Sequence, residues 1–211
     1  MSSESIFSKN IDAIIYINLE HRTDRKEHIL SEIKKICQDT SKIHRIDAVK
    51  KDIGAIGCGL SHIKALEYAL IHQEWNTILI LEDDFTFKSE SGIEIQDSIN
   101  ELLTFNLDVG ILASCYNYVC SNTSRSSIKK VSYSQTTSGY IIKRSFIHRL
   151  VQNFKESVTD MEKNGINGEN CIDIHWKHLK SISNWYMIEP CIGYQYGNYS
   201  DIEKRHTNYC C

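Results

Sequence analysis

Thr77-Ile78-Leu79-Ile80-Leu81-Glu82-Asp83-Asp84 is the stretch on which the fold turns. Its first five residues are β-branched or aliphatic without alternation, the pattern of a strand buried on both faces, and they run directly into three acids. Acids placed immediately after a buried strand sit at its carboxyl edge, where open α/β sheets bind their ligands. Carboxylates held that close repel one another, and a hard divalent cation with oxygen ligands, Mg²⁺ or Mn²⁺, removes the repulsion and can bridge phosphate oxygens. A solvated acidic turn would carry the same three letters, but the buried strand in front of them favours the ligand-binding reading.

The segments on either side repeat the strand and helix alternation. Ala13-Ile14-Ile15-Tyr16-Ile17 reads as a second doubly buried strand. Asp24, with Glu27 three residues on, reads as the cap of a helix whose apolar face is Ile29, Leu30, Ile33, Ile36 and Cys37. His44-Arg45-Ile46-Asp47-Ala48 reads as a short strand, residues 54–59 as a glycine-punctuated loop, and Ser61 as the start of a helix with the stripe Ile63, Leu66 and Leu70. The expected fold is therefore α/β, with a mostly parallel central sheet and helices on both faces. The second half is less regular. A strand is expected over residues 108–114, a polar serine-rich loop over 121–130, and a strand over 133–143 interrupted at Gly139. A helix follows over 146–154, then one through Ile172, Trp176 and Leu179, and a strand Trp185-Tyr186-Met187-Ile188 that stops at Pro190, the only proline.

With 211 residues the chain suits one domain with a sizeable core. It ends on Cys210-Cys211 without a polar tail, as one module of a longer polypeptide also would. A net charge of -3 and a pI near 6.3 supply no positive field for a nucleic acid partner. No apolar run approaches the roughly 20 residues of a membrane span. The polar start Met1-Ser2-Ser3-Glu4-Ser5 does not read as a signal peptide, so none is expected, and a cytoplasmic location is expected. The eight cysteines lack paired spacing and are read as reduced thiols, with the sequons at Asn122 and Asn198 unmodified.

Arg22 and Arg25 follow the first strand at the same sheet edge as the acids, where a guanidinium can grip a diphosphate. The order of motifs then becomes informative: Asn18-Leu19 through Arg22 and Arg25, Gly57-Cys58-Gly59-Leu60-Ser61-His62, Leu81-Glu82-Asp83-Asp84, and Ser138-Gly139-Tyr140. In this order the chain resembles glycosyltransferase family 25, which includes lipooligosaccharide galactosyltransferases and the collagen galactosyltransferase domain. The resemblance implies a single GT-A-type nucleotide-sugar-binding domain, a UDP-sugar donor, a glycan or glycoprotein acceptor, and inversion at the transferred sugar. It also implies Mn²⁺ or Mg²⁺ at the acidic motif, with Asp84 and Glu82 as ligands. Donor contacts fall on Asn18, Leu19, Arg22, Arg25, Ser61, His62, Glu82 and Asp83. His206, beyond the last family motif, corresponds to the carboxy-terminal histidines that complete the ion's coordination in several enzymes of this fold. Gly59 stands where the family commonly has alanine.

Inverting transfer needs a second carboxylate to take the acceptor's proton. Asp173 is the choice, since it opens a helix after a polar loop and matches an aspartate of the family pattern; Glu169 and then Asp201 stand in reserve. Two rival readings use the same features. A metal-dependent phosphohydrolase or nuclease would want further ligating groups at other strand ends. A non-catalytic sugar-binding module would use Trp176, Trp185 and Tyr194-Gln195-Tyr196 as stacking surfaces, and leaves the buried strand and its acids without a purpose.

Overall fold

The computed structural model of the chain describes residues 10–115, 118–200 and 205–207. The first half builds β1 (Ala13–Asn18), α1 (Thr23–Ile36), β2 (Ile43–Asp47), α2 (Gly54–Ile71), β3 (Thr77–Glu82), β4 (Phe85–Phe87) and α3 (Gly92–Leu103). The second half adds β5 (Val109–Ile111), β6 (Val119–Asn122), β7 (Ile128–Tyr133), β8 (Gly139–Lys143), α4 (Arg144–Asn164) and the short helices α5 (Ile172–His175) and α6 (Lys177–Lys180). Four short strands follow: β9 (Trp185–Ile188), β10 (Gly193–Gln195), β11 (Asn198–Ser200) and β12 (Arg205–Thr207).

Eight strands form one sheet in the order β2-β1-β3-β8-β5-β9-β7-β6. β1 and β3 are buried along almost their whole length, as their unbroken apolar runs require. Pleating sends alternate residues to opposite faces. Ala13, Ile15, Ile17, Ile78 and Ile80 pack with Ile63 and Leu66 of α2 and Leu150 and Phe154 of α4. Ile14, Tyr16, Leu79 and Leu81 pack with Ile29 and Ile33 of α1 and Ile95, Ile99 and Leu102 of α3. Helices thus cover both faces, as expected.

The sheet is mixed rather than mostly parallel. β1 runs parallel to β2 and β3, and β5 to β9. β8 is antiparallel to both β3 and β5, and β7 to β9 and β6. The parallel part is the half whose strands are separated by crossover helices; the other half contains a hairpin, which needs no crossover. That hairpin, β6 and β7, occupies much of the expected serine-rich loop, with Thr123 Oγ1 donating to the Ile128 carbonyl across its turn (2.6 Å). α3 arises from a segment with no sequence assignment. The helix expected through residues 172–179 is two single turns, and α4 is longer than expected at both ends.

Two local expectations are corrected. α1 begins at Thr23 with Arg22 at its cap position, so Asp24 and Glu27 lie inside the helix. Residues 54–59 are the first turns of α2 and not a loop. The glycines there answer to packing: a Cβ on Gly57 would stand 2.5 Å from the Val49 carbonyl oxygen, and one on Gly59 2.6 Å from Val158 Cγ2. Ser61 and His62 therefore sit in the middle of α2, away from the free N–H groups of its first turn. Reduced thiols are found at Cys37, Cys58, Cys120, Cys171 and Cys191, but Cys115 is disulfide-bonded, against the expectation of reduced thiols throughout. Trp176 and Trp185 are fully buried, in edge contact at 5.1 Å, and so form core where the binding-module reading wanted an exposed stacking surface. No helix among the described residues is long and apolar enough to cross a membrane.

Because the Val49 carbonyl is backbone and cannot swing aside, Gly57→Ala should cost about 1–3 kcal/mol of unfolding free energy. Gly168→Ala, where nothing lies within 4 Å, should change it by less than about 0.5 kcal/mol. Urea denaturation of both variants checks the pair.

Candidate active site

The pleat of β3 carries on into the acids. Glu82 is paired with Ile17 and continues the face of Ile78 and Ile80, so its carboxylate meets α2; the next residue points the other way, toward α1. On the α2 side, His62 donates from Nε2 to Glu82 Oε1 (3.2 Å), and Thr137 Oγ1 donates to the same oxygen (2.7 Å). The second ring nitrogen of His62 lies 3.1 Å from the Tyr140 hydroxyl. On the α1 side, Asn18 at the end of β1 donates to Asp83 Oδ2 (2.8 Å). Arg25 donates to Asp83 Oδ1 (2.9 Å), Asp84 Oδ2 (3.1 Å) and the Tyr199 carbonyl (3.0 Å). The Nε of Arg25 is buried and has no hydrogen-bond partner.

These groups border a cavity of about 750 Å³ beyond the carboxyl ends of β1 and β3. Leu19, Arg25, Ser61, His62 and the acids Glu82, Asp83 and Asp84 line it, joined by Cys58, Thr136, Thr137, Gln195 and Asp173. Asp173 is in the first turn of α5, and its Oδ2 accepts the backbone N–H of Thr136 (3.2 Å). It is not an N-cap: that position belongs to Cys171, which makes no side-chain capping bond. Thr136 has φ 76°, a left-handed conformation that costs a β-branched residue about 1–3 kcal/mol. Its hydroxyl donates to Gln195 Oε1 (2.8 Å), and Gln195 in turn reaches Asp84 Oδ1 (3.4 Å). One strained residue thus touches both the candidate base and the neighbour of Asp84.

Several expected participants stand elsewhere. The Arg22 guanidinium forks onto Asp24 (2.9 and 2.8 Å) and donates to the Tyr199 carbonyl (2.9 Å), and it does not line the cavity. Ser61 does line the cavity, but its Oγ is engaged by the scaffold: it accepts from Val49 N–H (2.8 Å) and donates to the Gly57 carbonyl (2.6 Å), which ties the connection between β2 and α2 to the helix. Glu169 is exposed and paired with Lys177, away from the cavity lining. His206 is exposed on β12, its ring against Tyr199 at 5.8 Å, and is likewise not among the lining residues. Asp201 lies outside the described residues. Thr136, Thr137 and Gln195 carry no sequence signal, because their roles depend on loops meeting across the cavity.

Burial dominates the electrostatics. It raises the Asp84 carboxyl to about 7, with the negative charge of Glu82 adding to the effect and Arg25 only partly opposing it. Asp83 is raised by burial too, against the pull of Arg25 and Asn18. For Glu82 burial also acts upward, but the hydrogen bond and charge of His62 and the hydrogen bond of Thr137 outweigh it, and the net shift is downward. Burial raises Asp173, with Thr136 N–H opposing. Ionised Asp84 is thus a cost to the folded state. Below its unfolded-state value near 3.8 the group is protonated in both states; between there and 7 folding must take up a proton; above 7 the full penalty applies. In the presence of a chelator, Asp84→Asn should therefore raise stability at pH 8 by on the order of 2 kcal/mol and leave it nearly unchanged at pH 4. Thermal unfolding at the two pH values checks the sign.

Comparison with known proteins bears on the fold and the family. No curated protein matches the chain. Among solved structures, a glycosyltransferase involved in the glycosylation of the major capsid of PBCV-1 superposes over 79% of this chain and 73% of its own, with TM-score 0.51 and 9% identity. The apo-form glycosyltransferase GlyE of Streptococcus pneumoniae TIGR4 superposes over 85% of this chain and 45% of its own, with TM-score 0.51 and 12% identity. At these identities the likeness is one of fold. The sequence model of glycosyltransferase family 25 (LPS biosynthesis protein) matches residues 52–164, from the start of α2 through the acids of β3 to the end of α4. With more than half of its length matched, including the Cys58 to His62 and Glu82 to Asp84 motifs, the chain belongs to glycosyltransferase family 25.

Proposed function

We propose that the chain transfers a sugar from a UDP-sugar donor to a hydroxyl group of a glycan or glycoprotein acceptor, with inversion, in a GT-A-type site that holds Mn²⁺ or Mg²⁺. The observation that carries this reading is a single cavity with Arg25, Asp83 and Asp84 on one wall and Asp173 on another. The donor set fits a hard dication: Asp83 and Asp84 share the one guanidinium of Arg25 with Glu82 beside them, and burial together with the charge of Glu82 raises Asp84 against it. Asp84, with Glu82 and Asp83 beside it, would hold the ion, which when bound supplies positive charge to the departing diphosphate. Arg25 has an Nε donor to spare for the same anion.

Asp173 supplies the base. The acceptor oxygen forms a bond to the anomeric carbon while the bond from that carbon to the diphosphate oxygen breaks. The hydroxyl proton passes to the Asp173 carboxylate, and the electron pair of the broken bond leaves on UDP. Burial gives Asp173 a higher proton affinity than an exposed aspartate, which suits it to this step. Thr136 N–H holds the carboxylate in place from a backbone that cannot relax without losing the contact to Gln195. The structural neighbour described as involved in the glycosylation of the major capsid of PBCV-1 is in keeping with a glycoprotein among the acceptor classes.

Thermal stability measured with UDP, with and without Mn²⁺, tests the donor reading: a rise that requires both is expected, and its absence overturns the reading. Asp84→Ala should remove the metal-dependent part. Asp173→Asn should keep UDP-sugar binding and lower turnover by roughly 10² or more, since general bases contribute about 10²–10⁴-fold. Turnover within a few-fold of the parent would remove Asp173 from the mechanism.

A further inference from the structure

Glu82 is the acid of the cluster whose partners come from α2, and one helical turn there carries two metal-ligand residue types. Cys58 and His62 are four residues apart, so their side chains share a face of the helix, the spacing by which paired ligands on one helix bind zinc. The Cys58 sulfur, a His62 ring nitrogen and a Glu82 carboxylate oxygen all lie within 4.8 Å of one another. A thiol, an imidazole and a carboxylate from two rigid elements make a three-ligand set of the kind Zn²⁺ takes when its fourth position is left open.

The surroundings are organised in the same sense. The Tyr140 hydroxyl engages Nδ1 of His62 and so fixes the ring with Nε2 toward Glu82, while Thr137 fixes the Glu82 carboxylate. All three residues line the cavity, which provides an entry path. Burial and the charges of Glu82, Asp173 and Asp84 keep the Cys58 thiol protonated, and those same charges attract a cation. Arg25, by contrast, gives its side-chain hydrogen bonds to Asp83 and Asp84 and acts on Glu82 through its charge alone, behind the effects of His62 and Thr137.

We propose that Cys58, His62 and Glu82 form a second cation site, selective for a soft or borderline transition-metal ion such as Zn²⁺, beside the hard oxygen donors Asp83 and Asp84. Binding replaces the thiol proton, released to solvent, with a sulfur–metal bond, and the His62 proton moves from Nε2 to Nδ1, which then donates to the Tyr140 oxygen and leaves the Nε2 lone pair for the ion; nothing is oxidised or reduced. An ion held there keeps Glu82 on the α2 side and withholds it from a hard ion at Asp84, so Zn²⁺ acts as an inhibitor. The site itself rests on the geometry of α2 and β3 and does not require the donor or the base assigned above.

The test uses the chelator-stripped full chain without nucleotide, in excess Mg²⁺, titrated with Cd²⁺ as a spectroscopic substitute for Zn²⁺. The thiolate-to-cadmium charge-transfer absorption of the parent should exceed that of Cys58→Ser by the contribution of a single thiolate, and Glu82→Gln should weaken that component roughly ten-fold or more. In the parent protein, Zn²⁺ but not Mg²⁺ should protect Cys58 from alkylation, read by peptide mass. Identical cadmium titrations of parent and Cys58→Ser, or equal alkylation of Cys58 with and without Zn²⁺, overturns the proposal. Should Cys58→Ser not fold, the alkylation result decides alone. Because no donor is present, failure here and failure of UDP to bind are separate outcomes.

Discussion

The burial of three adjacent carboxylates at the end of β3 is the constraint around which the rest of the molecule is arranged. Buried charge is expensive unless each oxygen is paired, and here the pleat divides the problem between two faces. Glu82 is handed to His62, Thr137 and, through His62, Tyr140; Asp83 and Asp84 are handed to Asn18, Arg25 and Gln195. Removing one partner would leave a largely buried charge with less compensation. Glu82 is lowered because His62 and Thr137 outweigh its burial, and Asp84 is raised because Arg25 and Gln195 do not outweigh its burial and the charge of Glu82.

The loop of residues 134–138 joins this acidic wall to the opposite one. Its first residue is anchored in the core: Lys180 donates to the Ser134 carbonyl (2.8 Å) and hydroxyl (2.7 Å), and the Trp176 indole N–H reaches the same carbonyl (3.2 Å). Lys180 is buried against the faces of Trp176 and Trp185, and burial pulls it down to about 7. With that end fixed and Gly139 paired to Leu81 at the other, the chain between has little freedom, and Thr136 takes a left-handed conformation. The strain is sustained because it aims a backbone N–H at Asp173 and a hydroxyl at Gln195 at once.

The mixed sheet serves the same end. Antiparallel β8 inserts between β3 and β5 and brings residues 136–138 alongside the acids; Glu82 N–H donates to the Ser138 carbonyl (2.8 Å). A parallel strand in that position would have delivered its carboxyl end, and with it Lys143, to the site instead.

How much of this was legible depends on whether the signal is local. The sequence by itself determined the doubly buried β1 and β3, the amphipathic α1, the helices on both faces, and the placement of the acids at a strand's carboxyl edge, because continuous apolar runs and 3.6-residue stripes follow directly from what each element must bury. Ser91 with Glu94 three residues on, followed by Ile95, Ile99 and Leu102, is an equally local signal for α3. Residues 54–59 misled for a different reason: glycine reads as a loop, but here close approach to the Val49 carbonyl and to Val158 is what demands it, and that approach is a property of packed elements. Only the tertiary structure decided the antiparallel half of the sheet, the disulfide at Cys115, the turning of Arg22 toward Asp24, the exposure of His206 and Glu169, and the meeting of Thr136, Gln195 and Asp173 around one cavity. The last of these joins residues 37 and 59 positions apart, and no periodicity or short motif carries that information.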